Sequence, residues 1–563
     1  MTESTDKPAA RTLSELLPAH GIERVVVSPG SRNAPLVVAL TRNPDLECSV
    51  VIDERSAAFA ALGMSLQSGR PVAVCCTSGT ALLNYAPAVA EAFYRQVPLV
   101  VISADRPEEW IDQDDSQTLW QQDALAPYVK RRCDISARLD FGNGSWWVNR
   151  TVNDALLEAV SGRPGPVHIN IRLDAPLNRM APADDEGHER VIHEIAPAGE
   201  LTTARARELG TLLASPHSVM VVAGFHTPDF RLNKALGKMA ALPNVAVLTE
   251  TISNLHNPLF VSRIDSTLCR LSPTEREAMA PDTVITIGGA LVSRHVKEWM
   301  RSLPPSTEHW HVGVSHTTVD CFKHLSLRVE MEPTIFMRQL ASAMQIHRKE
   351  CGYADMWQEA SRRAAVIHAL KVEAAPWCDL TALAMVFDRI PPTWNLHLSN
   401  GTPIRYAQLM DCRHIHRSDC NRGVSGIDGC TSTALGASAI YKGVTLLISG
   451  DMSFQYDIAA LSSQLMGPRF KMIVVCNGGG GIFRFIDATR DLPELDRYLS
   501  VGTNLPLRGL CEAYGIEYSE ASSEPELDKA FAGFAAESRR PALLAIHTDG
   551  RLSAEILRDY FGN

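Results

Sequence analysis

Three doubly wound, parallel-sheet α/β domains are the fold this sequence predicts. Short, continuously apolar runs alternate with longer stretches of helical periodicity, as expected of strands covered on both faces by crossover helices. The 563 residues are too many for a single hydrophobic core. A polar, proline-bearing stretch after Asn178 separates the first set of runs from the second, as a linker would.

In chain order, the first set is RVVVSPG (24–30), SVVID (49–53), VAVCCTSG (72–79), PLVVISAD (98–105) and PVHINI (166–171). The linker MAPADDEGHERVIHEIAPAGE (180–200) follows. The second set is SVMVVAGF (218–225), NVAVLTE (244–250), DTVITIGGA (282–290) and WHVGVS (310–315). A charged helical stretch around 335–375 leads to the third: NLHLSNG (395–401), HIHRSDCNRG (414–423), VTLLISGD (444–451), KMIVVCNGG (471–479) and ALLAIHTD (542–549). The domains implied are 1–180, 195–345 and 370–563. In CRHIHRSDC (412–420), His414 and His416 alternate along a strand pattern, and the spacings match no familiar structural zinc site.

Composition narrows the function classes. Apolar residues make up 45% and charged residues 21%, ordinary for a soluble enzyme. A formal charge of -10 argues against nucleic acid as a partner. The start, MTESTDKPAARTLSELL, lacks the pattern of a secretory signal, and no run approaches the roughly 20 apolar residues that span a bilayer. The 13 cysteines are odd in number, and Cys75 and Cys76 sit inside an apolar run; reduced thiols and a cytoplasmic location are expected.

Ligands of open α/β sheets bind beyond the carboxyl ends of strands, so the residues after each run matter most. These are SPGSRN (28–33), Asp53–Glu54, TSGT (77–80), ADRP (104–107), GGALVSRH (288–295), NGTPIR (400–405), NRGVSGID (421–428), GDMSF (450–454) and NGGGG (477–481). No run is followed by G-x-G-x-x-G, and no G-x-x-x-x-G-K-[ST] occurs, which disfavours a dehydrogenase or a P-loop enzyme. GDMSF and CNGGGG end consecutive runs. An Asp carboxylate, an Asn amide oxygen and a glycine-loop carbonyl are hard oxygen donors suited to Mg²⁺ beside a diphosphate. Asp53 and Glu54 open a helix, and only one of them can be its cap. EEWIDQDD after ADRP reads as a solvated acidic loop, with a lid as the alternative.

GDM…CNG is similar to the metal-diphosphate signature of thiamine-diphosphate enzymes, usually GDG followed by NN, with Met452 and Cys476 as departures. SPGSR, DERSAAFAALG, TSGTA, ADRP, NRG-x-SGIDG and GGGGIF, in that order, resemble the 2-succinyl-5-enolpyruvyl-6-hydroxy-3-cyclohexene-1-carboxylate (SEPHCHC) synthase family of menaquinone biosynthesis, from about residue 10 to the end. The resemblance implies a pyrimidine-binding first domain, a central domain without nucleotide and a diphosphate-binding third domain. It implies thiamine diphosphate with Mg²⁺ or Mn²⁺, the metal held by Asp451, Asn477 and the Gly479 carbonyl. Asp53 is then the structural acid, and Glu54 matches the glutamate that hydrogen-bonds the aminopyrimidine. Thr77, Ser78, Gly401, Ile427, Met452 and Ser453 match further cofactor positions. Each cofactor would lie between two subunits, so a homodimer or homotetramer is expected.

The reaction implied is decarboxylation of 2-oxoglutarate and conjugate (1,4) addition of the succinyl carbanion equivalent to isochorismate. Both substrates are dianions, and guanidinium groups grip carboxylates bidentately. Ser31, Arg32, Arg106, Gln117, Arg405 and Arg422 match substrate contacts, and Ile482 and Phe483 the cavity lining. Arg294 stands where the family often has Lys. Gly401 stands where it often has Ser, with the Thr402 hydroxyl beside it. Other thiamine-diphosphate decarboxylases or acetolactate synthase-like carboligases are the alternative. Decarboxylases often carry an HH pair, absent here, and acetolactate synthases usually hold FAD on the central domain.

Overall fold

The computed structural model describes residues 3–139, 142–182, 189–197, 199–315, 317–345, 351–502 and 504–562. Residues 183–188 and 198 of the expected linker, and 346–350 of the charged helical stretch, lie outside the described residues.

The first strands are β1 (Glu3–Thr5), β2 (Arg24–Val27), β3 (Glu47–Val50), β4 (Val72–Cys76), β5 (Leu99–Asp105), β6 (Arg131–Ile135), β7 (Val167–Arg172) and β8 (Met180–Pro182). Next come β9 (Val219–Ala223), β10 (Val245–Thr249), β11 (Thr283–Ile287), β12 (Glu308–Val312) and β13 (Leu325–Val329). The last are β14 (Asn395–Leu398), β15 (Arg417–Cys420), β16 (Thr445–Gly450), β17 (Phe470–Cys476), β18 (Glu517–Ala521) and β19 (Ala542–His547). The sheets run β3-β2-β4-β5-β7-β6, β10-β9-β11-β12-β13 and β15-β14-β16-β17-β19-β18, and β1 pairs antiparallel with β8. The α/β class is as the sequence predicts: β4, β5, β9 and β11 are buried along their whole length, as parallel strands covered on both faces must be.

The strand order of each sheet reverses near its start, between β2 and β4, between β9 and β11, and between β14 and β16. Crevices at such reversals are where doubly wound sheets bind ligands. They fall at SPGSRN and TSGT in the first sheet, and at NGTPIR and GDMSF in the third.

The strand expected at 414–423 starts later than its run. β15 begins at Arg417, so His414 and His416 precede it and do not alternate along a strand face. Within the three parallel sheets, β6 (RRCDI), β13 (LSLRV) and β18 (EYSEA) escape the apolar-run pattern. Each is the last strand of its sheet, where one edge lacks a neighbour and charged residues are tolerated.

The chain forms two compact units. The first comprises 1–196, 423–445 and 456–470; it holds the first sheet and the helix Cys430–Ile440. The second comprises 197–422, 446–455 and 471–563; it holds the second sheet and most of the third. No helix among the described residues is long and apolar enough to cross a membrane.

In the first unit the helix Glu54–Ser68 crosses the helix Cys430–Ile440 with backbones in contact. A Cβ at Gly63 would lie 1.9 Å from the Thr433 carbonyl oxygen, and one at Gly436 1.9 Å from that of Ala60. Backbone cannot swing aside as a side chain can. Gly63→Ala should therefore lower stability by about 3 kcal/mol or more, read as a fall in the thermal midpoint of the full chain; an unchanged midpoint would show that the crossing is loose.

Asp457 stitches the same two helices. Its carboxylate accepts from Ser432 N (2.6 Å), Ser432 Oγ (2.8 Å) and Ser56 Oγ (3.4 Å). Burial pushes its pKa from 3.8 up to about 6, against the downward pull of Ser432. The native state then holds this proton more tightly than the unfolded chain. Its stabilising contribution is complete below about pH 4 and is lost as pH rises through about 6, at roughly 3 kcal/mol for two pKa units. In thermal melts from pH 4 to 7, the wild type should lose stability relative to Asp457→Asn; parallel curves would remove this linkage.

Candidate active site

Asp53 caps the helix Glu54–Ser68, its carboxylate accepting from Ser56 N at 2.9 Å. Glu54 is the first helical residue, and its charge raises the pKa of the buried Cys76 thiol and Tyr85 phenol at the end of β4, behind the larger effect of burial. The cap is therefore Asp53, and the Glu54 carboxylate does not serve as one.

The strand-end turns of the first sheet are tied to one another. Arg32 N donates to Thr77 Oγ1 at 3.2 Å, and a Cβ at Gly30 would lie 2.3 Å from the Thr77 Cβ, so the SPGSRN turn rests on TSGT. Arg32 Nη1 donates to the Leu173 carbonyl at 3.0 Å, and Ser31 is exposed beside it. Arg106 N donates to Asp105 Oδ1 (2.8 Å), and buried Asp105 accepts from Asn170 Nδ2 (2.8 Å). Burial, and next the charge of Arg106, lowers the pKa of Arg32. The two guanidiniums are thus close enough to feel each other's charge.

The acidic loop is not merely solvated, because Asp115 forms an ion pair with Arg106 at 2.5 Å. That loop also carries Gln117, at φ 56°, against Gly79. Gln121 fastens it by accepting from Gly79 N (2.7 Å) and donating to the Ala104 carbonyl (3.0 Å). Thr77 and Ser78 are buried. Ser31, Arg32, Thr77, Ser78, Arg106 and Gln117 therefore lie on interlinked turns at the ends of β2, β4 and β5, with Glu54 on the turn after β3.

Sequence reasoning missed Glu91. This buried acid accepts from Gly423 N and Val424 N, each at 2.7 Å, and so fixes the loop that carries Ile427. Its one-letter context, a glutamate inside a helix, gives no hint of the role.

The second unit gathers the other set. Asp451 directly follows β16 and opens the helix Asp451–Tyr456; its Oδ1 accepts from Met452 N (2.7 Å), and its Oδ2 from Gly478 N (3.1 Å) and Gly479 N (3.0 Å). Gly479 has φ +117°, and a Cβ there would strike the Ser500 carbonyl oxygen at 2.2 Å, so only glycine fits. Asn477 Nδ2 donates to Asp379 Oδ2 at 2.8 Å, which commits the amide nitrogen and leaves Oδ1 as the donor atom for a cation. Asp379 is the second residue the sequence did not reveal. It is buried, anchored by Thr548 Oγ1 (2.5 Å), and its pKa is raised chiefly by burial. The Asp451 carboxylate, the Asn477 amide oxygen and the Gly479 carbonyl are hard oxygen donors of the kind Mg²⁺ or Mn²⁺ takes, and their chemistry would fit a metal-bound diphosphate.

Around this turn, a Cβ at Gly480 would meet the side chains of Phe483 and Met452, and one at Gly481 those of Asn477 and Thr402. Ile482 and Phe483 open the next short helix and are half-buried; Ser453 is buried beside Asp451. Gly401 (φ +103°) starts the helix Thr402–Ala407, which carries Arg405. Arg422 Nη1 donates to Asn400 Oδ1 at 3.0 Å. Burial, and next the charge of Arg422, lowers the pKa of Arg405. Arg294 is exposed and ion-paired to Glu298 at 2.5 Å, and its charge also reaches Arg405.

Comparison with known proteins places the chain in a family. The family described as "Thiamine pyrophosphate enzyme, N-terminal TPP binding domain" matches residues 8–125. A 2-succinyl-5-enolpyruvyl-6-hydroxy-3-cyclohexene-1-carboxylate synthase of Porphyromonas gingivalis is 39% identical over 100% of this chain and 98% of its own. Proteins of the same name from Bacteroides fragilis and Cytophaga hutchinsonii are 36% and 35% identical, covering 99% and 97% of this chain and the same shares of their own. With relatives this similar along its whole length, the chain belongs to the SEPHCHC synthase family of thiamine pyrophosphate enzymes.

Proposed function

We propose that this enzyme decarboxylates 2-oxoglutarate and adds the resulting succinyl group to isochorismate in a conjugate (1,4) addition, as a step of menaquinone biosynthesis. The observation that carries the reading is the Asp451–Asn477–Gly479 donor set, prearranged by Asp379 and a glycine turn at a sheet's winding reversal. When bound, thiamine diphosphate supplies the nucleophilic carbon and the electron sink that decarboxylation of a 2-oxo acid needs.

The chain's own residues do the rest. Asp451, Asn477 and the Gly479 carbonyl hold Mg²⁺ or Mn²⁺, and Met452, Ser453, Gly401, Thr77 and Ser78 lie against the cofactor. Ile427, on the loop held by Glu91, props it. Glu54 holds and exchanges a proton with the cofactor's aminopyrimidine. Arg32 and Arg106, with Ser31 and Gln117, and Arg405 and Arg422, with Thr402, receive the substrate carboxylates. Ile482 and Phe483 keep water from the reacting carbon. The segments 1–180, 195–345 and 370–563 act as pyrimidine-binding, central and diphosphate-binding domains. Two copies of the chain complete each site, so the smallest active form is a homodimer, working in the cytoplasm.

The test gives the purified protein thiamine diphosphate and Mg²⁺, then 2-oxoglutarate with and without isochorismate. The expected result is CO₂ release matched one for one by loss of isochorismate. CO₂ release without isochorismate consumption would assign a simple decarboxylase, and no cofactor binding would remove the reading altogether.

A further inference from the structure

One face of β7 in the first unit is polar although it is buried. Val167, Ile169 and Ile171 join an apolar cluster with Val100, Ile102 and Ala104 of β5, whereas the residues alternating with them are His168, Asn170 and Arg172. Ser103 and Asp105 of β5 lie opposite Asn170 and Arg172 in the sheet, and Asp134 of β6 lies opposite Asn170 from the other side. Burying polar and charged groups is costly unless each finds a partner.

A single amide supplies most of those partners. Asn170 Nδ2 donates to Asp105 Oδ2 (2.8 Å) and to Asp134 Oδ1 (2.7 Å), and two carboxylate acceptors on one side dictate where the amide nitrogen points. Asn170 Oδ1 accepts from Ser103 Oγ (2.7 Å) and Gln121 Nε2 (2.9 Å). The Ser103 proton is thereby used, so His168 Nε2 is the donor in its 2.8 Å bond to Ser103 Oγ. Two links lead from this hub to the turns of the site. Asp105 Oδ1 accepts from Arg106 N (2.8 Å), and Arg172, paired with Asp105 and Asp134, donates to the Arg106 carbonyl (3.2 Å). Gln121 accepts from Gly79 N (2.7 Å) and donates to the Ala104 carbonyl (3.0 Å), which ties the loop bearing Gln117 to the TSGT turn. The Ser103–His168 link joins β5 to β7 and leads to neither turn.

We propose that Asn170 is a positioning residue, which holds Arg106 through Asp105 and the Gln117 loop through Gln121 in fixed relation to the TSGT turn. The inference rests on the reading of Arg106 and Gln117 as substrate contacts. Asn170 itself lies in the core and touches no substrate; it acts by denying these turns alternative arrangements, since neither its own amide nor that of Gln121 can flip without leaving buried partners unpaired.

The experiment compares Asn170→Ser with Ser103→Ala, a change at an equally buried neighbour that leaves the links from Asn170 to Asp105 and Gln121 in place, and with Arg106→Met. All are full chains loaded with thiamine diphosphate and Mg²⁺. One arm measures KM and kcat for 2-oxoglutarate and isochorismate; the other measures deuterium exchange of the backbone amides in 77–80 and 104–121, which needs no turnover. Both Asn170→Ser and Ser103→Ala should lower the thermal midpoint. Only Asn170→Ser should raise KM for at least one acid and speed exchange in those two segments, each about tenfold, with kcat changed far less than KM. Wild-type KM values and exchange in Asn170→Ser, or the same shifts in Ser103→Ala, overturn the inference. Should Asn170→Ser fail to fold, Gln121→Met, which cuts the link from the amide to Gly79, carries both arms with the same expected and refuting results. If Arg106→Met keeps wild-type KM values, or wild type turns over neither acid, the reading of Arg106 falls and exchange decides alone. Faster exchange confined to the two segments then upholds Asn170 as their anchor, and unchanged exchange refutes it.

Discussion

Glu54→Gln is expected to lower kcat by about 10²- to 10⁴-fold while leaving affinity for thiamine diphosphate within about threefold, the range over which a positioned acid–base group acts. The substitution keeps the side chain's length and its capacity to hydrogen-bond. It removes only the ability to hold and exchange a proton. The helix should not suffer, because its cap is Asp53, one residue earlier, through the 2.9 Å bond from Ser56 N. Asp53→Asn therefore serves as the contrasting variant: asparagine is also a competent cap, and its rate should stay near wild type. Stopped-flow turnover together with calorimetric cofactor binding separates the two outcomes. Near-normal kcat in Glu54→Gln would strip that residue of its role, and parallel losses in both variants would point to the helix terminus instead of the proton.

What the sequence revealed, and what it hid, divides along a physical line. The α/β class was legible because central parallel strands are apolar on both faces, as in β4 (VAVCC) and β9 (VMVVA). The edge strands β6, β13 and β18 were hidden because an unpaired edge tolerates arginine, serine and glutamate, which erases the apolar run. Residues such as Arg32, Thr77, Arg405 and Asp451 were legible by position, just past strands that flank a winding reversal. Glu91 and Asp379 were not, since a charged residue within or opening a helix reads as solvent-facing. Only tertiary structure carries Glu91 to Gly423, or Asp379 to Asn477, and no local pattern encodes a partner so far along the chain.

Asp451→Ala should weaken metal-dependent binding of thiamine diphosphate by about 100-fold or more, since losing even an outer partner of a metal site costs roughly 10- to 100-fold. Two effects combine. A charged oxygen donor leaves the cation, and the amides of Gly478 and Gly479 lose the carboxylate that shapes the glycine turn. Asp451→Asn separates them, because it keeps an acceptor for those amides while removing the charge. Calorimetry at several Mg²⁺ concentrations should place Asn between wild type and Ala; equal affinity in all three proteins would remove Asp451 from the metal site. The same variant tests the assembly when mixed with Glu54→Gln. If each cofactor is completed by Glu54 of one subunit and Asp451 of another, mixed dimers contain one intact and one doubly impaired site, and random re-association restores about a quarter of wild-type activity. If both acids act within a single chain, every site in the mixture carries one lesion and no activity returns. Recovery on mixing two inactive proteins therefore reports a site shared between copies, without any need to observe the cofactor itself.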